Sequence, residues 1–183
     1  CACGGLNFIE FNPDGTVDLE KIYLSTEGYQ RLEHNLLLFF TGYTRDANSI
    51  LAEQKRNTRD DGKIARLQKM VGIARELRRE LLSNNIDAMG EALRQGWDLK
   101  RGLASGITSS CIDDCYEAAL RAGAEGGKLL GAGGGGFLLF YVKEQNHRRV
   151  RQALHGLKEL PFRFETKGTV IIHYNKHTIP GKA

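Results

Sequence analysis

The sequence predicts an α+β sandwich in which one antiparallel sheet is covered by helices. Strand-like segments lie towards both ends of the chain, and the middle carries long stretches of helical periodicity. Strands and helices that are segregated in this way are typical of a sheet packed against helices. A further observation is the stretch GGKLLGAGGGGFLLFY at 126–141. Its glycine-rich first part leads into an apolar, partly aromatic segment that is typical of a central strand.

The composition is that of an ordinary globular domain. Hydrophobic residues make up 41% and charged residues 26% of the 183 positions, close to average usage. The net charge of +4 permits a small anionic ligand but lacks the concentrated basic stripe typical of nucleic-acid binding. No apolar run reaches about 18 residues, so we expect no membrane partner. The four cysteines have no histidine at zinc-finger spacing, and we expect no metal site.

Turn residues and apolar runs predict short elements in the N-terminal part of the chain. The segment NPDG at 12–15 carries turn chemistry between two strand-like segments, which suggests a hairpin. The run LLLFF at 36–40 is apolar throughout and fits a buried strand. The predicted elements are a strand at 7–11, a second strand or helix start at 16–24, an ambiguous segment at 29–35, a strand at 36–40 and a helix at 44–56 with Ile50 and Leu51 on its inner face.

Apolar residues at three- and four-residue steps predict a helical hairpin in the middle of the chain. The first helix begins near Lys63 and has a solvated basic face, and the second runs antiparallel to it. Their predicted core positions are Leu67, Val71, Ala74, Leu77 and Leu81 in the first helix, and Ile86, Met89, Leu93 and Trp97 in the second. Thr108 or Ser109 is predicted to cap a third helix that ends near Ala122.

Strand and helix patterns alternate again after the glycine stretch. We predict a central strand at 137–142, a helix at 147–160, two final strands at 162–165 and 169–174, and a frayed tail at 176–183. Leu154 and Leu157 stand at core spacing in that helix, and Pro161 lies just past its end.

The glycine stretch admits several interpretations. Residues 131–136 match the pattern GxGxxG, but the dinucleotide fingerprint follows a strand and opens a helix, whereas here we expect a helix before and a strand after. A P-loop is excluded because Gly127-Lys128 lacks both the earlier glycine and the following Ser or Thr. Apolar segments on both sides argue against a flexible linker. We therefore expect an ordered loop that allows close approach, either of backbone amides to an anion or of chain to chain.

The segment KLLGAGGGG at 128–136 resembles the third signature motif of the GHMP small-molecule kinases, with Leu130 where the family often has Thr and Phe137 where it often has Cys. Nearly the whole chain is similar to the sugar-kinase branch that contains the D-glycero-D-manno-heptose 7-phosphate kinases and the fucokinase-like enzymes. The other stretches that carry the resemblance are GGLNFIEF at 4–11, LLL at 36–38 with TGYTR at 41–45, GWDLK at 96–100, and FE at 164–165 with Gly168.

The resemblance implies a ferredoxin-like GHMP kinase C-terminal sandwich with a helical hairpin insertion. Kinases of this family have two domains, and the N-terminal one carries the ATP phosphate loop and the catalytic Asp. We therefore expect residues 1–25 to be a remnant of that half, residues 26–175 to form the C-terminal domain, and the missing N-terminal domain to be its partner. No catalytic residue is expected in the chain, which by itself should be inactive.

The activity implied by the resemblance is ATP-dependent phosphorylation of D-glycero-D-manno-heptose 7-phosphate at its anomeric hydroxyl, with Mg²⁺ and in the cytoplasm. The implied loop for nucleotide and substrate consists of Lys128, Gly131, Ala132, Gly133, Gly134, Gly135 and Gly136. Thr44 and Arg45 are candidates for binding the substrate phosphate, because Arg binds phosphate in bidentate fashion and a helix start offers free N–H groups. Lys100 and Arg101 are weaker candidates.

Structural interpretations of the same residues stay open: glycines that only let two loops pack, a solvated Lys128, and an ordinary surface Arg45. Two other functions also stay open. One is a non-enzymatic α+β module that binds a metabolite through its glycine loop. The other, ranked last, is an RNA-binding domain, which would need an aromatic strand motif that this sequence lacks.

Overall fold

The structure is a computed structural model that describes residues 3–43, 47–58 and 60–172. It divides into two compact units, one made of Cys1–Ile22 and Phe164–Ala183 and the other of Tyr23–Arg163. The boundaries that we expect at residues 25 and 175 stay predictions, and the tail at 176–183 lies outside the described residues.

The smaller unit contains a β-hairpin. Strand β1 (Asn7–Phe11) pairs antiparallel with β2 (Val17–Lys21). The Asp14 carboxylate closes the turn, since it accepts hydrogen bonds from the backbone N–H of Thr16 at 2.9 Å and from its hydroxyl at 2.6 Å. Gly15 supplies the left-handed conformation of the turn, with φ at +87°. The predicted strand at 7–11 and the hairpin are confirmed.

The larger unit is built on a four-stranded sheet. Its elements are α1 (Thr26–Asn35), β3 (Leu36–Phe40), α2 (Ala47–Asn57), α3 (Asp61–Leu82), α4 (Ala88–Arg101), α5 (Ser110–Arg121), β4 (Gly126–Leu129), β5 (Phe137–Tyr141), α6 (His147–Ala153) and β6 (Lys158–Glu159). The strand order is β4-β5-β3-β6, and each neighbouring pair is antiparallel. This order, with helices between β3 and β4 and between β5 and β6, is the ferredoxin-like arrangement. The predicted α+β fold class is confirmed.

Aromatic side chains join the sheet to α4 and α5. Phe39 of β3 and Phe140 of β5 are buried, and Tyr116 of α5 lies 5.7 Å from Phe140 between ring centres. Trp97 of α4 lies 6.1 Å from Tyr116 in the same way and is also buried. Because large aromatic side chains dominate the energetics of a core, this cluster holds both helices on the sheet.

Helices α3 and α4 form the predicted helical hairpin. The Lys63 ammonium at the start of α3 donates to the carbonyl of Gly102, just past the end of α4. The core positions predicted for α3 are partly wrong: Val71 is 49% exposed, whereas Leu67 and Met70 pack against the core. A helix that packs against the protein on one side buries only a narrow stripe of its surface. Leu67 and Met70 lie on that stripe, and Val71 lies outside it. None of the described helices is long and apolar enough to cross a membrane.

Two N-terminal expectations change. The ambiguous segment at 29–35 belongs to α1, which starts where the Ser25 hydroxyl accepts a hydrogen bond from the Gly28 N–H at 3.0 Å. On α2, Ile50 is buried as predicted, but Leu51 is 49% exposed. Neighbouring residues on a helix point about 100° apart, so a helix that contacts the core along one line buries only one of the two. The predicted helix start at 44–46 lies outside the described residues.

The C-terminal predictions are wrong in three places. The helix predicted at 147–160 ends at Ala153, and a turn in which the Leu157 N–H donates to the Leu154 carbonyl leads into β6. Strand β6 then pairs with Phe39 and Phe40 of β3 and fills the free edge of the sheet. The predicted strands at 162–165 and 169–174 are not strands in the described residues up to 172. Leu154 is 3% exposed, so its core position was predicted correctly although the helix is shorter.

Candidate functional site

The glycine loop, residues 130–136, connects β4 to β5 within one hairpin. Leu129 pairs with Leu138, and the Leu130 N–H donates to the Phe137 carbonyl at 2.8 Å. The prediction that the glycines follow a helix is wrong, because residues 126–129 form strand β4. Pairing with β5 overrides the low strand propensity of glycine. The dinucleotide fingerprint still does not apply, since the loop leads into a strand and not into a helix.

Two glycines of the loop lie directly against other backbone. A Cβ at Gly133 would come within 2.7 Å of the Ile107 Cα, and a Cβ at Gly135 within 2.6 Å of the Tyr43 carbonyl oxygen. Gly133 also has φ at +118°, a region that L-residues rarely adopt. No other residue type fits at Gly133 unless the loop moves, so the predicted close approach of chain to chain is present here.

Hydrogen bonds divide the loop amides into two sets. The Gly134 N–H donates to the Ile107 carbonyl and the Gly136 N–H to the Tyr43 carbonyl, both at 2.8 Å. The Thr41 N–H donates back to the Gly136 carbonyl at 2.9 Å. For the N–H groups of Gly133 and Gly135 no acceptor is found in the described part of the chain. The amides of Leu130, Gly134 and Gly136 therefore hold the loop in place. Those of Gly131, Ala132, Gly133 and Gly135 have no acceptor among the described residues, and we take Gly133 and Gly135 as the candidates for a ligand.

Lys100 and Lys128 flank the start of the loop. Lys128 lies on β4 opposite Leu139, and Lys100 is the penultimate residue of α4. The Lys100 ammonium donates to the Gly131 carbonyl at 2.5 Å. Both lysines line one small cleft together with Trp97. The tertiary structure thus brings a weak sequence candidate, Lys100, to the predicted residue Lys128.

Both ammonium groups are partly buried, and burial lowers the pKa of each. The charge of Lys128 lowers the pKa of Lys100 further. Desolvation and a like charge both disfavour the protonated form. An anion between the two lysines would reverse both effects, which makes the cleft electrostatically suited to one.

The candidates for the substrate phosphate, Thr44 and Arg45, lie outside the described residues. Their role stays a prediction. They follow Tyr43 in the sequence, whose carbonyl accepts from Gly136 of the glycine loop.

Residues 76–159 match the family model described as GHMP kinases C terminal. The match covers less than half of the chain and agrees with the predicted resemblance to this family. The matched segment contains α4, α5, the glycine loop and the strands β4, β5 and β6. The family match therefore includes the candidate site.

Two curated relatives agree with the sugar-kinase resemblance. The chain is 26% identical over 151 residues to a D-glycero-alpha-D-manno-heptose 7-phosphate kinase from Campylobacter jejuni, a match that covers 82% of the chain and 44% of that protein. It is 28% identical over 155 residues to a bifunctional fucokinase/GDP-fucose pyrophosphorylase from Arabidopsis thaliana, covering 82% of the chain and 15% of that protein. The chain therefore spans less than half the length of these relatives. The predicted resemblance to this branch is confirmed.

Solved GHMP kinase structures share the fold. A D-glycero-D-manno-heptose 1-phosphate kinase from Bacteriodes thetaiotaomicron superimposes with a TM-score of 0.61 at 22% identity, covering 91% of this chain and 44% of that one. A putative sugar kinase from Campylobacter jejuni gives 0.64 at 24% identity, with 88% and 46% covered. The L. major mevalonate kinase in complex with R-mevalonate gives 0.66 at 12% identity, with 87% and 49% covered. At these identities the likeness establishes the fold.

Proposed function

We propose that the chain is the C-terminal part of an ATP-dependent sugar kinase that phosphorylates the anomeric hydroxyl of D-glycero-D-manno-heptose 7-phosphate in the cytoplasm. The observation that carries the proposal is the clamped glycine loop, which leaves the Gly133 and Gly135 amides without an acceptor in the described residues. The relative named a heptose 7-phosphate kinase, which matches 82% of the chain, supports the choice of substrate.

In this proposal the loop residues have separate roles. Phosphoryl transfer needs mainly positioning and stabilisation of charge. The amides of Gly133 and Gly135 donate to phosphoryl oxygens, and those of Gly134 and Gly136 hold the loop against Ile107 and Tyr43. Preorganised donors of this kind need no rearrangement when charge develops. Lys128 adds a positive charge beside the loop.

ATP fits this site through its phosphates, because the free amides and the lysines are all donors. Magnesium is different. Among residues 3–43, 47–58 and 60–172, no group of three His, Cys, Asp or Glu side chains is placed to hold a metal ion. We therefore assign Mg²⁺ to no residue of this chain and derive no step through it. In the proposed enzyme it accompanies ATP.

We further propose that the chain alone has no kinase activity. The ATP phosphate loop and the catalytic Asp would belong to an N-terminal domain that is the partner of this chain. The test measures ATP consumption by the full-length protein and by the 183-residue chain with heptose 7-phosphate, fucose and mannose. We expect turnover on heptose 7-phosphate with the full-length protein only.

Other outcomes of that assay separate the alternatives. Turnover by the chain alone would contradict the assignment of the catalytic groups to the partner domain. If the full-length protein turned over no sugar but bound one, the non-enzymatic metabolite-binding module would be the better description. Activity on fucose or mannose alone would retain the kinase and replace the substrate.

A further inference from the structure

The cations of α4 fall into two kinds. Arg94 pairs with Glu91 at 2.9 Å, and Arg101 pairs with Asp98 at 3.1 Å. Lys100 stands in the same helix and forms no ion pair with any carboxylate in the described ranges, and the same holds for Lys128 on β4. Partly buried charges are normally paired. Two unpaired lysines that line one cleft therefore call for an anion from outside the chain.

The third wall of this cleft is Trp97. Its side chain is 1% exposed, and its indole N–H has no acceptor among the residues that the structure describes. Buried polar groups nearly always have a hydrogen-bond partner. The remaining lining is mostly apolar and comes from Met70, Ala92, Leu93 and Gly96. The indole N–H itself has no exposed surface, so Trp97 forms an apolar wall of the cleft and the two lysines are its charged groups.

Lys100 also connects the cleft to the loop. An ammonium group has three N–H donors, and Lys100 uses one of them on the Gly131 carbonyl. Two donors remain. An anion that engages them is linked through a single side chain to the first glycine of the loop.

We propose that Lys100 and Lys128 together bind one phosphate group in the cleft that Trp97 lines. The inference rests on the proposed kinase function, because the sugar phosphate and the nucleotide both bring a phosphate to this loop. Lys100 then has two roles: it binds the phosphate and it positions Gly131. Loss of its charge weakens phosphate binding, and loss of its hydrogen bond releases the start of the loop.

The test uses Trp97, which is the single tryptophan of the chain and lines the cleft. The 183-residue chain is titrated with sodium sulfate and with sodium phosphate while its intrinsic fluorescence is recorded. A sodium chloride titration at equal ionic strength is the reference, because general screening acts equally in both. We expect a saturable change with sulfate and phosphate and none with chloride. Identical curves for all three salts would overturn the proposal.

Three variants decide whether the two lysines are responsible. Lys100→Met and Lys128→Met should each weaken sulfate binding by about tenfold or more, as expected for the loss of one charge-assisted hydrogen bond. Lys100→Arg keeps the charge and should retain most of the affinity. The matched control is Lys63→Met, since Lys63, like Lys100, donates to a backbone carbonyl, that of Gly102, but does not line the cleft.

Circular dichroism establishes that each variant is folded. If a Met variant is not, the titration of the native chain with sulfate and phosphate against chloride still decides whether the cleft binds an anion. Unchanged affinity in Lys100→Met and Lys128→Met would overturn the proposal. So would an equal loss in Lys63→Met, since the effect would then follow net charge and not position.

Phosphate esters identify which substrate the cleft serves. A hexose 6-phosphate is compared with the free hexose, and ADP with adenosine, in the native chain and in Lys128→Met. A gain over the unphosphorylated parent that Lys128→Met removes assigns the cleft to that substrate. If neither ester binds better than its parent, the phosphate site is refuted.

The two proposals fail separately. A full-length protein without kinase activity whose cleft still binds sulfate would refute the proposed function and keep the anion site. An active kinase whose native chain shows no Trp97 response and whose Lys100→Met variant has unchanged KM values would refute the anion site alone.

Discussion

The β1–β2 hairpin and the β4–β5 hairpin are both antiparallel pairs joined through glycine, yet different interactions determine each. The first is closed locally, by Asp14 and Thr16 within the turn itself. The second is closed by distant partners, since its loop binds Tyr43 and Ile107. A turn held by its own residues can be predicted from a short stretch of sequence. A loop held by residues distant in the sequence cannot.

The two hairpins also differ in burial: the first is exposed and the second is buried. Phe11 is 77% exposed and its cross-strand partner Val17 is 54% exposed. Leu138 and its partner Leu129 are both 0% exposed. The second hairpin is therefore part of the core, and the first presents an apolar face. We therefore expect substitutions in the two hairpins to have different effects on the free energy of unfolding.

The largest expected difference concerns a buried and an exposed phenylalanine. Phe140→Ala should lower the free energy of unfolding by about 3–5 kcal/mol, because it removes the ring that packs on Tyr116 and leaves a cavity. Phe11→Ala should change it by less than about 0.5 kcal/mol, as is usual for exposed positions. Urea denaturation measures both values. Equal losses would mean that the hairpins do not differ in this way.

The next effect concerns two glycines of the same loop. Gly133→Ala places a methyl group against the Ile107 backbone, whereas Gly131→Ala meets nothing within 4 Å. Both positions have positive φ, so both variants lose about 1–2 kcal/mol through backbone strain. Gly133→Ala should lose about 1–3 kcal/mol more through overpacking. Equal losses in thermal or urea unfolding would show that the loop yields at Ile107.

A pH effect should appear at the end of the second hairpin. His147 is buried, and its Nε2 lies 2.8 Å from the carbonyl of Val142, the residue after β5. Burial lowers the pKa of His147 below its ordinary value. The unfolded chain then binds a proton that the folded chain does not, so the free energy of unfolding falls as the pH drops through about 6.5. Above that pH the contribution is fully present.

Urea denaturation between pH 8 and pH 5 measures this effect. His147→Gln should lose the corresponding part of the pH dependence, while His155→Gln, at an exposed position, should keep the native profile. Should the two variants behave alike, titration of His147 would not be the cause.

The smallest effect is confined to the first turn. The hydrogen bonds from Thr16 hold the pKa of Asp14 below its ordinary value. Asp14→Ala removes these bonds and should speed amide hydrogen exchange at Thr16. Exchange at the β4–β5 amides should not change, because the second hairpin has its own partners. Faster exchange in both hairpins would show that they are coupled.

Strands β1, β3 and β5 were predictable because each is marked by its own residues. NFIEF precedes a turn, and LLLFF and FLLFY are apolar throughout. Strand β4 was missed because GGKL has little strand propensity. The sequence also does not show that Gly126 lies against the backbone of Gly90, where a Cβ would collide. Because Gly126 has no side chain, α4 can lie close to β4.

The sequence alone determined the fold class, the position of the glycine loop and the resemblance to GHMP kinases, because periodicity and motif spacing are local properties. The tertiary structure alone decided which loop amides remain available and that Lys100 meets the loop at Gly131, 31 residues further along the chain. Hydrogen bonds and charges act over a few ångströms in space. Their partners depend on how helices and strands pack, which no short stretch of sequence records.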